Sequence, residues 1–182
     1  MTNKVITQVK ATRESGQVER FHALPNVPKY TVAEHCYGVV SLLLLLHPNP
    51  SLNLIRACQF HDLPERWLGD LPAPAKWDYP ELALAYGYAE RDVFNQLELS
   101  DVIALDGEEL IWLKVLDVLE LFQWSAELLE AGHKTLAPCA AACMERLDGI
   151  NMPDELAEYW ANYKQRRPVR LSDKIGEVTW TM

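Results

Sequence analysis

His61-Asp62-Leu63-Pro64-Glu65 sets an imidazole and a carboxylate side by side, with a second carboxylate one helical turn further on. Glu65 follows His61 by four residues and Asp62 by three, and those spacings lie on one face of a helix. Two metal ligands with a free acid alongside are what metal-assisted hydrolysis requires. His-Asp pairs also arise by chance, so their weight depends on the surrounding chain. Upstream, Ser51 can cap a helix running through Leu52, Ile55, Cys58 and His61, with apolar residues at three- and four-residue steps. Before that, Thr31-Val32-Ala33-Glu34 has the form of a capping box. A helix should start there, with His35 in its first turn and Pro48 and Pro50 beyond its end. It carries five consecutive leucines, Leu42 to Leu46. The apolar segment 39–46 is far shorter than the ~20 residues of a membrane span, so it reads as a fully buried central helix.

Downstream, Pro64 should distort or end its helix, or begin another turn. Gly69-Asp70-Leu71-Pro72-Ala73-Pro74 should be irregular. Pro80 can open a helix to about Leu97. The stretch 108–131 is the longest periodic one, apolar at Leu110, Leu113, Val115, Leu116, Leu119 and Leu121, with Gly132 as its stop. Residues 138–147 and 153–164 read as two more helices, while the tail 168–182 is either short extended structure or irregular. No strand alternation of useful length precedes that tail. The expectation is an all-α fold, a single compact helical bundle over residues 1–182.

With 182 residues and about half of them apolar, the chain is long enough for one proper core and is not disordered by composition. A net charge of −9 argues against coating a nucleic acid polymer, which needs a basic face. It leaves room for a small anionic substrate, because a metal and a few cations reverse the sign locally. The cysteines Cys36, Cys58, Cys139 and Cys143 form no Cys-x-x-Cys pair and read as small buried thiols in a reducing compartment. Residues 1–20 are mixed polar and charged, with no signal peptide. A soluble, cytoplasmic protein without membrane attachment is expected.

His35, His61, Asp62 and Asp117 form the candidate metal set. Asp117 sits among Val115, Leu116, Val118 and Leu119, where a carboxylate is costly to bury unless paired or metal-bound. Alone, it could be partnered by Lys114 or Arg56. Two imidazoles and two carboxylates suit Co, Mn, Zn, Ni or Fe. Glu34 reads as the partner within the capping box. Trp67, Trp77, Trp112 and Trp124 read mostly as core, with Trp77, near the loop, as a pocket wall. His22 is a further pocket candidate.

These residues resemble a known family. His35, then His61-Asp62, then Asp117 follow the H…HD…D signature of the HD-domain phosphohydrolases, whose fold is all helical. The segment Asn26-Val27-Pro28-Lys29-Tyr30-Thr31-Val32-Ala33-Glu34-His35 looks like the "NV…(S/A)EH" opening of the 5′-deoxynucleotidases. Residues 60–76, with His61-Asp62, Glu65 and Gly69-Asp70-Leu71-Pro72-Ala73-Pro74-Ala75-Lys76, are similar to their "HD…E…GD(L/I)P.P.K" block. Phage dATP triphosphohydrolases share this scaffold. The resemblance covers roughly residues 20–132, and the GDLPxPxK block is its specific part.

The resemblance implies roles. The four candidate ligands would hold a divalent transition metal, with additional Mg or Mn accompanying the phosphates. Glu65 would be the acid or base beside the water, and Asp70 would lie in the pocket. Arg20 and Lys76 would meet phosphate, and Phe21 would pack on the deoxyribose. Phe21-His22 departs from the Trp-Pro usual in the bacterial deoxynucleotidases. The function implied is a metal-dependent phosphohydrolase of 2′-deoxynucleotides. Both a dNTP, dATP foremost, and a dNMP fit; the compact chain resembles the phage-type members, which favours the triphosphate. Related enzymes also imply a homo-oligomer. A non-catalytic nucleotide- or metal-binding module and a phosphodiesterase for cyclic or hyperphosphorylated nucleotides are the competing readings. The intact ligand set with Glu65 disfavours the first, and the GDLPxPxK block the second.

Overall fold

Thr31 opens the bundle's central helix as the capping box requires. Its hydroxyl accepts from the Glu34 amide, and the Glu34 carboxylate accepts from the Thr31 amide. In the computed structural model, which describes residues 3–165, this helix is the second of the chain. In order, the α-helices are α1 (Asn3–Ser15), α2 (Val32–Leu46), α3 (Leu52–Phe60), α4 (Glu65–Leu68), α5 (Ala73–Asp78), α6 (Pro80–Gln96), α7 (Gly107–Glu130), α8 (Ala137–Gly149) and α9 (Asp154–Gln165). Short 3-10 turns occupy Ser100–Ile103 and Lys134–Leu136. No strand occurs among the described residues, and the all-α expectation holds. The tail 168–182 lies outside the described residues.

The caps explain the boundaries. Ser51 accepts from the Leu54 amide to start α3, and Asp106 accepts from the Glu109 amide to start α7. Gly132, at φ +102, turns the chain just past α7, a conformation that costs glycine little. The core joins Val39 and Leu43 of α2, Leu54 and Cys58 of α3, Trp112, Val115, Leu116 and Leu119 of α7, Leu147 of α8, and Leu156 and Trp160 of α9. Burying each such aliphatic side chain contributes about 1.5–3 kcal/mol.

Three expectations need correction. The leucine-rich helix is not fully buried: Val39 and Leu43 face the core, but Leu45 keeps 82% of its surface exposed and Leu44 55%. Leu42 and Leu46 pack partly against the core, and only Leu44 and Leu45 point outward. The stretch 69–74 is irregular only as far as Pro72, because α5 begins at Ala73 and accommodates Pro74 in its first turn, where the missing N–H costs nothing. Trp67 is exposed rather than core, with the Arg66 guanidinium 4.6 Å above its ring. The buried thiols Cys36, Cys58 and Cys143 are as expected, and all four cysteines are free.

The segment 16–31 matters most for the site. It is closed at its base by an antiparallel bridge between Glu19 and Thr31. The Arg20 amide donates to the Tyr30 carbonyl at 2.8 Å, and the Val32 amide to the Val18 carbonyl at 3.0 Å. This closure delivers Arg20 and Phe21 beside the first turn of α2. Phe21 has φ +57, an unusual backbone for a bulky residue, and its ring stacks on Trp124 at 4.9 Å.

Candidate metal centre

Three elements bring the candidate ligands together. His35 comes from the first turn of α2, His61 and Asp62 from the turn just past α3, and Asp117 from the middle of α7. Glu65 opens the separate helix α4, so His61, Asp62 and Glu65 do not share one continuous helix as expected, because the chain turns at 61–64. His35 and Asp62 are buried, at 0% and 7% exposure. Ligand atoms of His35, His61 and Asp62 all lie within 4.8 Å of one another. The two Nε2 atoms are 3.3 Å apart. Asp62 Oδ2 is 3.7 Å from His35 Nε2 and 3.5 Å from His61 Nε2. Asp117 Oδ1 lies 3.0 Å from His35 Nε2 and 3.9 Å from His61 Nε2, but it falls outside the three-residue group whose ligand atoms are all mutually within 4.8 Å. The alternative partners of Asp117 are not used; Arg56 instead pairs with Asp101 at 3.0 Å.

The separations among His35, His61 and Asp62 fit a single ion. With bonds of about 2.1 Å, two ligand atoms are about 3.0 Å apart at a right angle, about 3.4 Å at the tetrahedral angle and about 4.2 Å when opposite. Every spacing above falls in that range. The imidazoles are also turned correctly. His61 Nδ1 donates to the Cys58 carbonyl at 3.0 Å, and His35 Nδ1 lies 2.5 Å from Glu120 Oε2, so both rings direct Nε2 inward.

The electrostatics agree. Burial opposes ionisation of Asp62, but His61, Arg20 and His35 outweigh it and hold the carboxyl below its ordinary value. Burial likewise works against an ionised Asp117, and the His35 hydrogen bond with the nearby cations pulls its pKa down. Burial and the Arg20 charge oppose protonation of His35, while Asp117 and Glu120 push its pKa up to about 9. Arg20 Nη1 pairs with Asp62 Oδ2 at 2.5 Å.

Glu65, 2% exposed, shows the opposite behaviour. Burial and the Asp62 charge raise its pKa to about 9, with Asp70 adding to the rise and Arg20 and Lys76 opposing it. Among the described residues its Oε2 and the Nε of Arg20 are buried without a hydrogen-bond partner. A protonated carboxyl and a guanidinium with unspent hydrogen-bonding capacity thus flank the ligand cluster.

The remaining candidates are more dispersed. The Asp70 side chain, 9% exposed, lies 3.8 Å from His22 Nδ1. Lys76 points toward α6, 4.0 Å from Glu90 Oε1 and 4.8 Å above the Tyr86 ring. Tyr86 in turn donates to the Gly69 carbonyl at 2.5 Å and pins the loop that carries Asp70. Phe21 and Trp77 belong to one aromatic cluster with Tyr30 and Trp124, and Arg146 covers the Trp77 ring at 4.3 Å. A separate cleft of about 550 Å³ lies between the end of α1 and α2–α3, lined by Gly16, Val32, Cys36, Phe60 and Leu63 among others, and contains none of the candidate ligands.

Two participants went unnoticed in the sequence, Glu120 and Tyr30. The Tyr30 hydroxyl donates to Glu120 Oε2 and lies 3.1 Å from His35 Nδ1. The signal available was the spacing, since Glu120 follows Asp117 by three and shares its helix face.

Two solved structures share the fold. A conserved hypothetical protein from Pyrococcus furiosus is 24% identical, with a TM-score of 0.69 over 88% of this chain and 99% of its own. The PH0347 protein from Pyrococcus horikoshii OT3 is 17% identical, with a TM-score of 0.71 over 88% and 98%. No curated protein matches the chain. The model of the HD domain family matches residues 16–173, a span that takes in all four candidate ligands. The chain therefore belongs to the HD domain family.

Proposed function

We propose that this protein is a metal-dependent phosphohydrolase of 2′-deoxynucleotides, with a deoxynucleoside triphosphate, dATP foremost, favoured over a monophosphate. The observation that carries the hydrolytic part is the convergence of His35, His61 and Asp62, with the Asp117 carboxylate 3.0 and 3.9 Å from the two Nε2 atoms, beside a buried Glu65. His35, His61, Asp62 and Asp117 would hold Co, Mn, Zn, Ni or Fe, with further Mg or Mn accompanying the phosphates. When bound, such an ion supplies Lewis acidity and makes water a competent nucleophile near neutral pH.

The chain's own residues do the rest. Glu65 carries a proton at neutral pH because its pKa is raised to about 9. Its unpartnered oxygen can hand that proton to the oxygen leaving phosphorus. Arg20 keeps its guanidinium at Asp62, within reach of any phosphate brought to the ligand cluster. Lys76 would meet phosphate further out, and Asp70 would face the sugar or the phosphates. Phe21, backed by Trp124 and clustered with Trp77, offers an apolar face to the deoxyribose. A 2′-hydroxyl buried there without a partner would cost about 1–3 kcal/mol.

The test is product analysis after incubating the purified protein with dAMP and with dATP, cobalt or manganese being added, together with elemental analysis of the protein. Deoxyadenosine plus triphosphate from dATP supports the favoured reading. Phosphate from dAMP alone would assign the monophosphate. Loss of less than tenfold activity on Asp62→Ala would remove the metal assignment. Tight nucleotide binding without turnover would leave a binding module.

A further inference from the structure

We infer that Glu120, seated against Gly38, is a positioning residue that keeps the proton of His35 on Nδ1 and so reserves Nε2 for the cation. The inference rests on the metal-centre reading above. Helices α2 and α7 face each other with two matched pairs, each three residues apart: His35 and Gly38 on α2, Asp117 and Glu120 on α7. The first pair of facing positions forms the ligand contact, His35 Nε2 to Asp117 Oδ1 at 3.0 Å. The second forms its support. A Cβ on residue 38 would lie 2.6 Å from Glu120 Cγ and 2.7 Å from Oε1, so only glycine leaves room for this carboxylate.

Glu120 Oε2 then lies 2.5 Å from His35 Nδ1, and the Tyr30 hydroxyl donates to the same oxygen. A carboxylate only accepts, so the imidazole nitrogen facing it must carry hydrogen. Tyr30 is 2% exposed and stacks on Trp124 at 4.2 Å, which fixes its hydroxyl and with it the carboxylate. The other polar group at His35 Nδ1, the Tyr30 hydroxyl at 3.1 Å, gives its hydrogen to Glu120 and so does not donate to the ring nitrogen. Outer partners of this type usually change metal affinity by about ten- to a hundredfold when removed.

The test is zinc titration of the full chain against a competing chelator, for wild type, Glu120→Ala, Glu120→Gln, Gly38→Ala and Asp62→Ala, with ¹⁵N correlation spectra of the zinc-loaded wild type. The spectra should show hydrogen on His35 Nδ1 and zinc on Nε2. Glu120→Ala and Gly38→Ala should weaken zinc about ten- to a hundredfold, whereas Glu120→Gln, which keeps an acceptor oxygen, should recover most of the loss. Gly38→Ala removes no polar group and favours helix, so it serves where Glu120→Ala fails to fold. Affinity within about threefold of wild type for both Glu120→Ala and Gly38→Ala, or hydrogen on Nε2, overturns the inference. If Asp62→Ala also binds zinc normally, the metal-centre reading itself fails; if Asp62→Ala alone loses zinc, only the role of Glu120 does.

Discussion

Replacing Glu65 by glutamine should flatten the pH dependence of stability in the metal-free protein. The folded pKa of Glu65 is raised from the ordinary 4.5 to about 9, chiefly by burial and by Asp62. Between those values the folded chain holds a proton that the unfolded chain has lost. Stability from this group is therefore complete below pH 4.5 and declines as pH rises toward 9. One proton corresponds to about 1.4 kcal/mol per pH unit. Over the window from pH 5.5 to 8 the wild type should thus lose about 3 kcal/mol that Glu65→Gln retains. His35, raised to about 9, adds a parallel decline above its ordinary 6.5 in both proteins, and subtracting one curve from the other removes it. The assay is urea unfolding in the presence of a chelator at half-unit steps of pH. The two proteins should agree near pH 5 and separate steadily above it. Parallel curves across the window would mean that Glu65 is ionised in the folded state, and its assignment as proton donor would fall.

Asp117→Asn should reduce bound metal at least about tenfold, read by elemental analysis after gel filtration, because the amide forfeits the charge that meets both imidazoles. Leu116→Ala, at a fully buried position between α2, α3 and α7, should cost about 2–5 kcal/mol in thermal unfolding without changing the far-ultraviolet helix signal. Thr31→Ala removes the hydroxyl that caps α2 and should lower the urea midpoint by an amount worth about 1 kcal/mol, with an unchanged denaturant slope.

Most of the scaffold was legible in the sequence because its helix ends are chemical events. Thr31, Ser51 and Pro80 each occupy the start the sequence suggests, and Gly132 sits just past the end of α7. Helix α1 was not legible. It has no apolar stripe, buries only Ala11 and Ser15, and leaves Ile6 and Val9 more than half exposed, so its position depends on contacts with distant chain such as Gln8 donating to the Leu97 carbonyl. Helix α5 was hidden by its prolines, which read as breakers but stand where a first helical turn tolerates them. The candidate ligands were readable because a histidine beside an aspartate, and an aspartate in an apolar stretch, are chemically costly without a purpose. Glu120 was not, because a glutamate in a long helix looks like a solvated position until the facing Gly38 is known.

The charges around the ligand cluster bear on which ion it can hold. Asp62, Asp117 and Glu120 bring three carboxylates against one guanidinium, Arg20, while Glu65, raised to about 9 in the metal-free protein, is counted as neutral. With both imidazoles neutral, as ligation requires, this inner set sums to −2. A divalent cation brings it to zero, whereas a monovalent ion leaves a net charge in a largely enclosed place, where unbalanced charge is costly. The same sum explains Arg20. Without it the set would stand at −3, and a substrate phosphate would approach a net negative centre even with a divalent ion in place. In the proposed reading, Arg20 held against Asp62 would make the loaded centre neutral before an anionic substrate arrives. A chain of net charge −9 can therefore accept an anion at this point, because the cancellation is local.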